Sequence, residues 1–263
     1  MKKMKWIPLS IGLTGMFIAG KIIAKRYHDP IDIDDNNVYL NSDDNENKLD
    51  KNKSEYIETK KENFNFYKKY GKRILDNVLS FGGLVALSPL YGIISLAIKI
   101  DDPGPVFFTQ KRVGKDKHFF LLHKFRSMKM SAPHDVPTHQ LSDPEQYITK
   151  VGRVLRKTSL DELPQIWDIF RGKMSIIGPR PALWNQDDLI AERDLYRAND
   201  IKPGLTGWAQ INGRDELEIS LKAELDGIYV KKLHSNGMEA FLFDCKCFIC
   251  TVSYVINGDG IIE

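Results

Sequence analysis

Cysteine is scarce in this chain: only Cys245, Cys247 and Cys250 occur in 263 residues. An odd set crowded into six positions builds no disulfide framework, so a reducing, cytosolic setting fits it. The same thiols lack a fourth ligand at zinc spacing, with His234 well upstream, so packing in an apolar helix is favoured over a metal site. Walker A, G-x-G-x-x-G, kinase, G-x-S-x-G and H-E-x-x-H signatures are all missing, which removes the common nucleotide-loop, serine-hydrolase and zinc-protease classes. His118, His123, His134, His139 and His234 fall at no spacing that compels a metal or a triad. A dominant charge is missing too: 38 Lys and Arg against 35 Asp and Glu leave +3. The cations sit in loops and are not interleaved with aromatics, which argues against nucleic acid. A mildly basic chain suits an anionic lipid surface or a diphosphate.

Long apolar runs, by contrast, are present. Trp6 to Ile23 is interrupted only by Lys21 and is flanked by lysines and Arg26. No A-x-A site follows it, so residues 1–26 read as a transmembrane or anchor segment rather than a cleaved signal. Residues 27–66 are acidic and asparagine-rich, with too little apolar surface to offset chain entropy, and read as a disordered linker. Val78 to Ile98 carries no charge and is long enough to span a bilayer. Ser88-Pro89 interrupts it. Proline removes a backbone donor and kinks the helix, and the Ser88 hydroxyl is placed to satisfy a freed carbonyl. A bent spanning helix, a helix that returns to the same face and a buried core helix all remain open on these grounds.

Past residue 102 the character changes. Val106 to Val113 and His118 to Phe125 are β-rich, with Gly114 to Lys117 as a hairpin turn. Beyond Asp143, helical patterns alternate with Gly/Pro-rich loops. Phe241 to Ile256 is an apolar helix that either packs on the domain or lies on the membrane surface.

The chemistry concentrates between Arg153 and Gln165. Ser159 and Glu162 match a capping box, which is a purely structural use of Glu162. A helix starting at Asp161 instead puts Pro164 in the tolerated first turn. In either register Asp161 lies at a helix start, where free amides and the dipole stabilise its anion. An ionised carboxylate attacks a phosphoanhydride competently once the phosphate charge is neutralised. Arg153 and Arg156, spaced i, i+3, share a helix face. Arg112, Lys124, Arg126, Arg180 and Arg214 recur beside turns, and together they point to an anion site. Mg²⁺ is the expected cofactor of diphosphate chemistry, with Asp161 and Glu162 as its carboxylates.

Four motifs follow in order: Lys124 to Met128, Thr158 to Gln165, Met174 to Pro181, and Lys202 to Arg214. Together they resemble the bacterial sugar transferases, the monotopic polyprenyl-phosphate phosphoglycosyl transferases, over roughly Tyr67 to Gly260. The resemblance implies a mostly helical α/β fold with a small β-hairpin. It also implies a re-entrant membrane helix broken at Ser88-Pro89 within residues 67–102, and a cytosolic transferase domain at 103–263. It implies transfer of a sugar 1-phosphate from a UDP-sugar to polyprenyl (undecaprenyl) phosphate, with release of UMP, at the start of capsule, exopolysaccharide or glycoprotein glycan assembly. Asp161 matches the nucleophile that forms a covalent phosphosugar-enzyme, and Glu162 matches its partner at Mg²⁺. Arg112, Lys124, Arg126, Arg153, Arg156, Arg180 with its neighbour Pro181, and Arg214 are the substrate-binding candidates. The expected surroundings are the bacterial cytoplasmic membrane, with the catalytic domain on its cytoplasmic face, and downstream glycosyltransferases as partners. A non-catalytic membrane adaptor that keeps the fold is the alternative. The sugar itself is not legible.

Overall fold

The computed structural model describes residues 65–132, 145–213 and 217–257. The expected anchor at 1–26, nearly all of the linker and Arg214 lie outside the described residues. A π-helical turn, Tyr67–Gly71, runs straight into α1, Lys72–Asp101. Tyr67–Asp101 is long and apolar enough to cross a membrane by length and composition. One face of α1 leaves Val78, Phe81, Val85, Ile93, Leu96 and Ile100 exposed. Pro89 lies inside the helix and cannot donate to the carbonyl of Val85, four residues back. The Ser88 hydroxyl donates to that carbonyl at 2.8 Å, repairing the bond that proline removes.

The opposite face of α1 is polar where it meets the rest of the chain. Arg73 donates to the carbonyls of Ile169 and Phe170, and the Asp76 carboxylate accepts from the amide of Ile176 at 2.9 Å. Further along, Ile94 and Ile98 are buried with Phe125 and Leu155. The Tyr91 hydroxyl donates to the carbonyl of Leu163 at 2.6 Å. The same helix that exposes an apolar stripe therefore also fixes the segment after the acidic pair.

Strand β1, Phe107–Val113, pairs antiparallel with β2, Phe119–Phe125, through a turn centred on a 3-10 element at Lys115–Lys117. The register sets Phe108 opposite Lys124 and Arg112 opposite Phe120. Helix α2 spans Lys150–Lys157 and α3 spans Gln165–Phe170. Two short strands then pair parallel, β3 at Ser175–Ile177 and β4 at Gly204–Thr206, with helix α4, Asp187–Leu195, between them in sequence. This second sheet departs from the expectation of helices and loops alone after Asp143. Its strands are three residues each, too short for a periodic pattern to declare them.

Helices α5, Trp208–Ile211, α6, Ile219–Leu233, and α7, Gly237–Asn257, complete the fold. They bury Ile177, Trp208, Ile211, Tyr229, Leu233 and Cys247 in one core cluster. Cys247 is fully buried there, and burial pushes its thiol well above the ordinary range. Cys250 packs partly buried against the same cluster. The opposite face of α7 leaves Leu242, Phe248, Ile249 and Val252 exposed.

Candidate active site

The acidic pair sits in a tight reversal between two helices. Helix α2 ends at Thr158, whose hydroxyl donates back to the Val154 carbonyl. Ser159 then adopts a left-handed conformation at φ 54°, turning the chain so that Leu160–Glu162 forms a separate 3-10 turn. Only after Pro164, in the cap position of α3, does the α-helix begin. This corrects both expected registers. Ser159 makes no side-chain cap bond, and Glu162 does not reach back as a capping box would require. Two cations hold the Glu162 carboxylate instead, and charged partners outcompete a neutral amide.

Lys124, near the end of β2, places Nζ 2.8 Å from Glu162 Oε1 and 3.8 Å from Asp161 Oδ2. Arg180, in the loop after β3, donates to the same Glu162 oxygen at 3.0 Å. Burial alone would raise the pKa of Glu162, but Arg180 and Lys124 outweigh it and hold the carboxyl far below its ordinary value. Asp161 is buried, with 8% exposure. Burial pushes its pKa up, and the charge of Glu162 adds to that. Lys124 and Arg156 pull it down without cancelling the rise. Two adjacent carboxylates are thus driven in opposite directions, a pattern that separates a reactive group from a purely electrostatic one. Asp161 is the more basic and less solvated oxygen; Glu162 is a fixed anion.

Both acids line a cavity of about 470 Å³ together with Arg112, Lys124, Arg126, Arg156, Arg180 and Pro181. Arg112 crosses to the Pro181 carbonyl at 3.0 Å and ties the hairpin to the loop after β3. Arg156 donates from Nε to the Ser127 hydroxyl at 3.0 Å. Arg126 is almost fully buried and pairs with Asp102 at 2.9 Å, so it clamps the end of α1 as well as lining the cavity. Arg153 is not brought in. Its side chain is 62% exposed and pairs with Glu145, because it stands two positions before the buried Leu155 and so on the solvent side of the helix.

Residues 67–258 match the family described as Bacterial sugar transferase. The chain belongs to that family. It is 40% identical over 194 residues to a protein of Escherichia coli (strain K12) named UDP-glucose:undecaprenyl-phosphate glucose-1-phosphate transferase, covering 69% of this chain and 39% of that one. It is 37% identical over 190 residues to the sugar transferase EpsL of Bacillus subtilis (strain 168), covering 72% and 89%. It is 38% identical over 196 residues to the UDP-N-acetylgalactosamine-undecaprenyl-phosphate N-acetylgalactosaminephosphotransferase of Aeromonas hydrophila, covering 72% and 44%. The chain spans less than half the length of the first and third of these.

The bacterial sugar transferase site also contains residues that sequence reasoning passed over. Arg193 of α4 and Asp226 of α6 form an almost fully buried ion pair, Nη2 to Oδ2 at 2.6 Å, and Arg193 lines the cavity. They are 33 positions apart, and no pattern links them. Gln210 also lines the cavity; it lies inside the fourth motif, yet nothing in the string marks its amide. Among the described residues, no three His, Cys, Asp or Glu side chains gather as a metal site. Among the described residues that line this cavity, Asp161 and Glu162 are the only acids. Two carboxylates completed by phosphate oxygens and water suit magnesium rather than a metal that needs a full protein shell.

Proposed function

We propose that this bacterial sugar transferase moves a sugar 1-phosphate from a UDP-sugar to undecaprenyl phosphate and releases UMP. The observation that carries the reading is the buried, basic Asp161 carboxylate beside Glu162, which Lys124 and Arg180 pin, in a cavity lined with further arginines. The names of the Escherichia coli and Aeromonas relatives support the donor and acceptor classes. The name of a Sinorhizobium fredii relative, an exopolysaccharide production protein, supports a place in exopolysaccharide synthesis.

In this reading the arginines bind the diphosphate and neutralise the charge that would repel a carboxylate. Asp161 Oδ attacks the β-phosphorus; the new Asp161 O–P bond forms as the bond from that phosphorus to the bridging oxygen breaks, and UMP leaves with the electron pair. A phosphate oxygen of undecaprenyl phosphate then attacks the same phosphorus and frees Asp161, leaving a diphosphate-linked sugar on the lipid. Desolvation keeps Asp161 reactive, and Lys124 keeps it ionised. Glu162 holds Lys124 and Arg180 in place. Mg²⁺, held by Asp161 and Glu162, would add charge neutralisation on the diphosphate.

Placement follows from the substrates. A lipid phosphate must reach Asp161, and Tyr91 of α1 is bonded beside it at Leu163. A helix that enters one leaflet and returns at Ser88-Pro89 would hold this turn at the interface, with residues 1–26 as a further anchor. The UDP-sugar supply puts the domain on the cytoplasmic face of the bacterial inner membrane, handing product to downstream glycosyltransferases. The test is UMP release from a panel of UDP-sugars by the purified full chain with undecaprenyl phosphate. Release that depends on the lipid for at least one sugar supports the reading; a panel with no release contradicts it.

A further inference from the structure

Helix α5 has four residues, all buried, and two of them serve the core: Trp208 and Ile211 pack with Tyr229 and Leu233. Gln210 faces the other way and lines the same cavity as Asp161. It is only 8% exposed. Among the described residues neither its Nε2 nor its Oε1 has a hydrogen-bond partner. A buried amide with both ends unpaired destabilises a fold, and an apolar side chain of the same shape would serve folding better. Its position is also specific. A methyl on Gly207 would stand 2.7 Å from Gln210 Oε1 and would collide with the Gly178 carbonyl. The amide therefore sits at the junction where the chain leaves β4 beside the start of the loop that carries Arg180.

We infer that Gln210 contacts the donor substrate, offering its N–H and C=O in one plane to a planar group that presents the complementary pair. Resting on the proposed function, the site takes a UDP-sugar, and such a donor carries that chemistry at the imide edge of uracil, where N–H and C=O lie side by side; the trans acetamido group of an N-acetylated sugar points them apart. Two parallel hydrogen bonds to the uracil edge would satisfy both orphaned atoms of Gln210 at once. The binding free energy of the donor then offsets a cost that the empty fold carries. Gln210 is thus a donor-recognition residue, distinct from the cations that hold the phosphates.

The experiment compares Gln210→Met with its parent, both in an Asp161→Asn full-length chain in detergent so that no covalent turnover intervenes. UMP, UDP-glucose and UDP-N-acetylglucosamine are titrated calorimetrically, and thermal melting is recorded. The expected result is a dissociation constant raised about 5- to 50-fold with a melting temperature unchanged or higher, since methionine removes a buried unpaired amide. Weakening of all three ligands assigns Gln210 to uracil. Weakening confined to UDP-N-acetylglucosamine overturns the inference, since uracil is common to all three ligands. Parent-like affinity for all three in Gln210→Met overturns the inference and leaves the functional reading standing. A parent that binds none of the three overturns the functional reading, and the role of Gln210 with it.

Discussion

Arg193 Nη1 donates to the backbone carbonyl of Arg180 at 2.9 Å. Its remaining donors grip Asp226, so the loop that carries Arg180 hangs from a buried ion pair. Arg180 in turn fixes Glu162, which fixes Lys124. Positioning is thus relayed from a core pair to the acidic turn. Removing one partner leaves an uncompensated buried charge, so Asp226→Asn should lower unfolding stability by about 3–5 kcal/mol. Arg193→Lys keeps the charge but loses the fork. It should fold and show a larger loss in kcat/KM than in stability. Denaturant melts alongside UMP-release kinetics check both; an Arg193→Lys variant with unchanged kinetics would detach Arg193 from the site.

Glu162 makes the opposite kind of prediction from its neighbour. Its folded pKa is depressed. It therefore contributes stability that is fully present above the ordinary carboxylate range and lost as pH falls toward its depressed value. Glu162→Gln abolishes that contribution and leaves Lys124 and Arg180 without an anion. The expected cost is about 1–3 kcal/mol at pH 7. The difference in melting temperature between the variant and its parent should shrink as the buffer is taken below pH 4.

Asp161 has a raised pKa, so the folded state holds its proton more tightly than the unfolded chain does. Its carboxylate costs stability once pH exceeds the unfolded value, and the full penalty is reached above the folded one. Asp161→Asn should therefore melt higher than wild type at pH 7 while losing transfer activity, a trade of stability for function. The acid limb of the rate profile should lie above the ordinary aspartate range. A profile flat down to pH 4 would mean that ionised Asp161 is not required.

The Ser88 hydroxyl bond to Val85 suggests a topological test. If α1 returns to its own face, single cysteines at Lys72 and Lys99 will be labelled from the same side of a sealed vesicle by an impermeant maleimide. Labelling from opposite sides indicates a bent spanning helix instead.

Much of this arrangement is legible in the sequence. The hairpin is legible in two β-rich runs on either side of the Gly114–Lys117 turn, and the uncharged Val78–Ile98 run announces α1. Ser88 was legible as the repair for Pro89 because both lie within one turn of Val85. Asp161, Glu162, Lys124, Arg126 and Arg180, which line the cavity together, each lie within a short motif. What escaped depends on distant pairing. The three-residue strands β3 and β4 exist through each other, and Arg193 gains meaning only beside Asp226. The capping box failed because Lys124 and Arg180, 38 and 18 residues away, compete for the same carboxylate. Arg153 was misplaced because helical spacing fixes a direction and not what occupies it.

The decisive measurement incubates the purified full-length chain with a UDP-sugar and Mg²⁺ but no lipid acceptor, followed by intact-mass analysis and peptide mapping. A single phosphosugar on the peptide that carries Asp161 is expected, formed with one equivalent of UMP and discharged when undecaprenyl phosphate is added. The adduct should be absent from Asp161→Asn. UMP that appears only when both substrates are present, or turnover that persists in Asp161→Asn, would contradict the role of Asp161 as nucleophile.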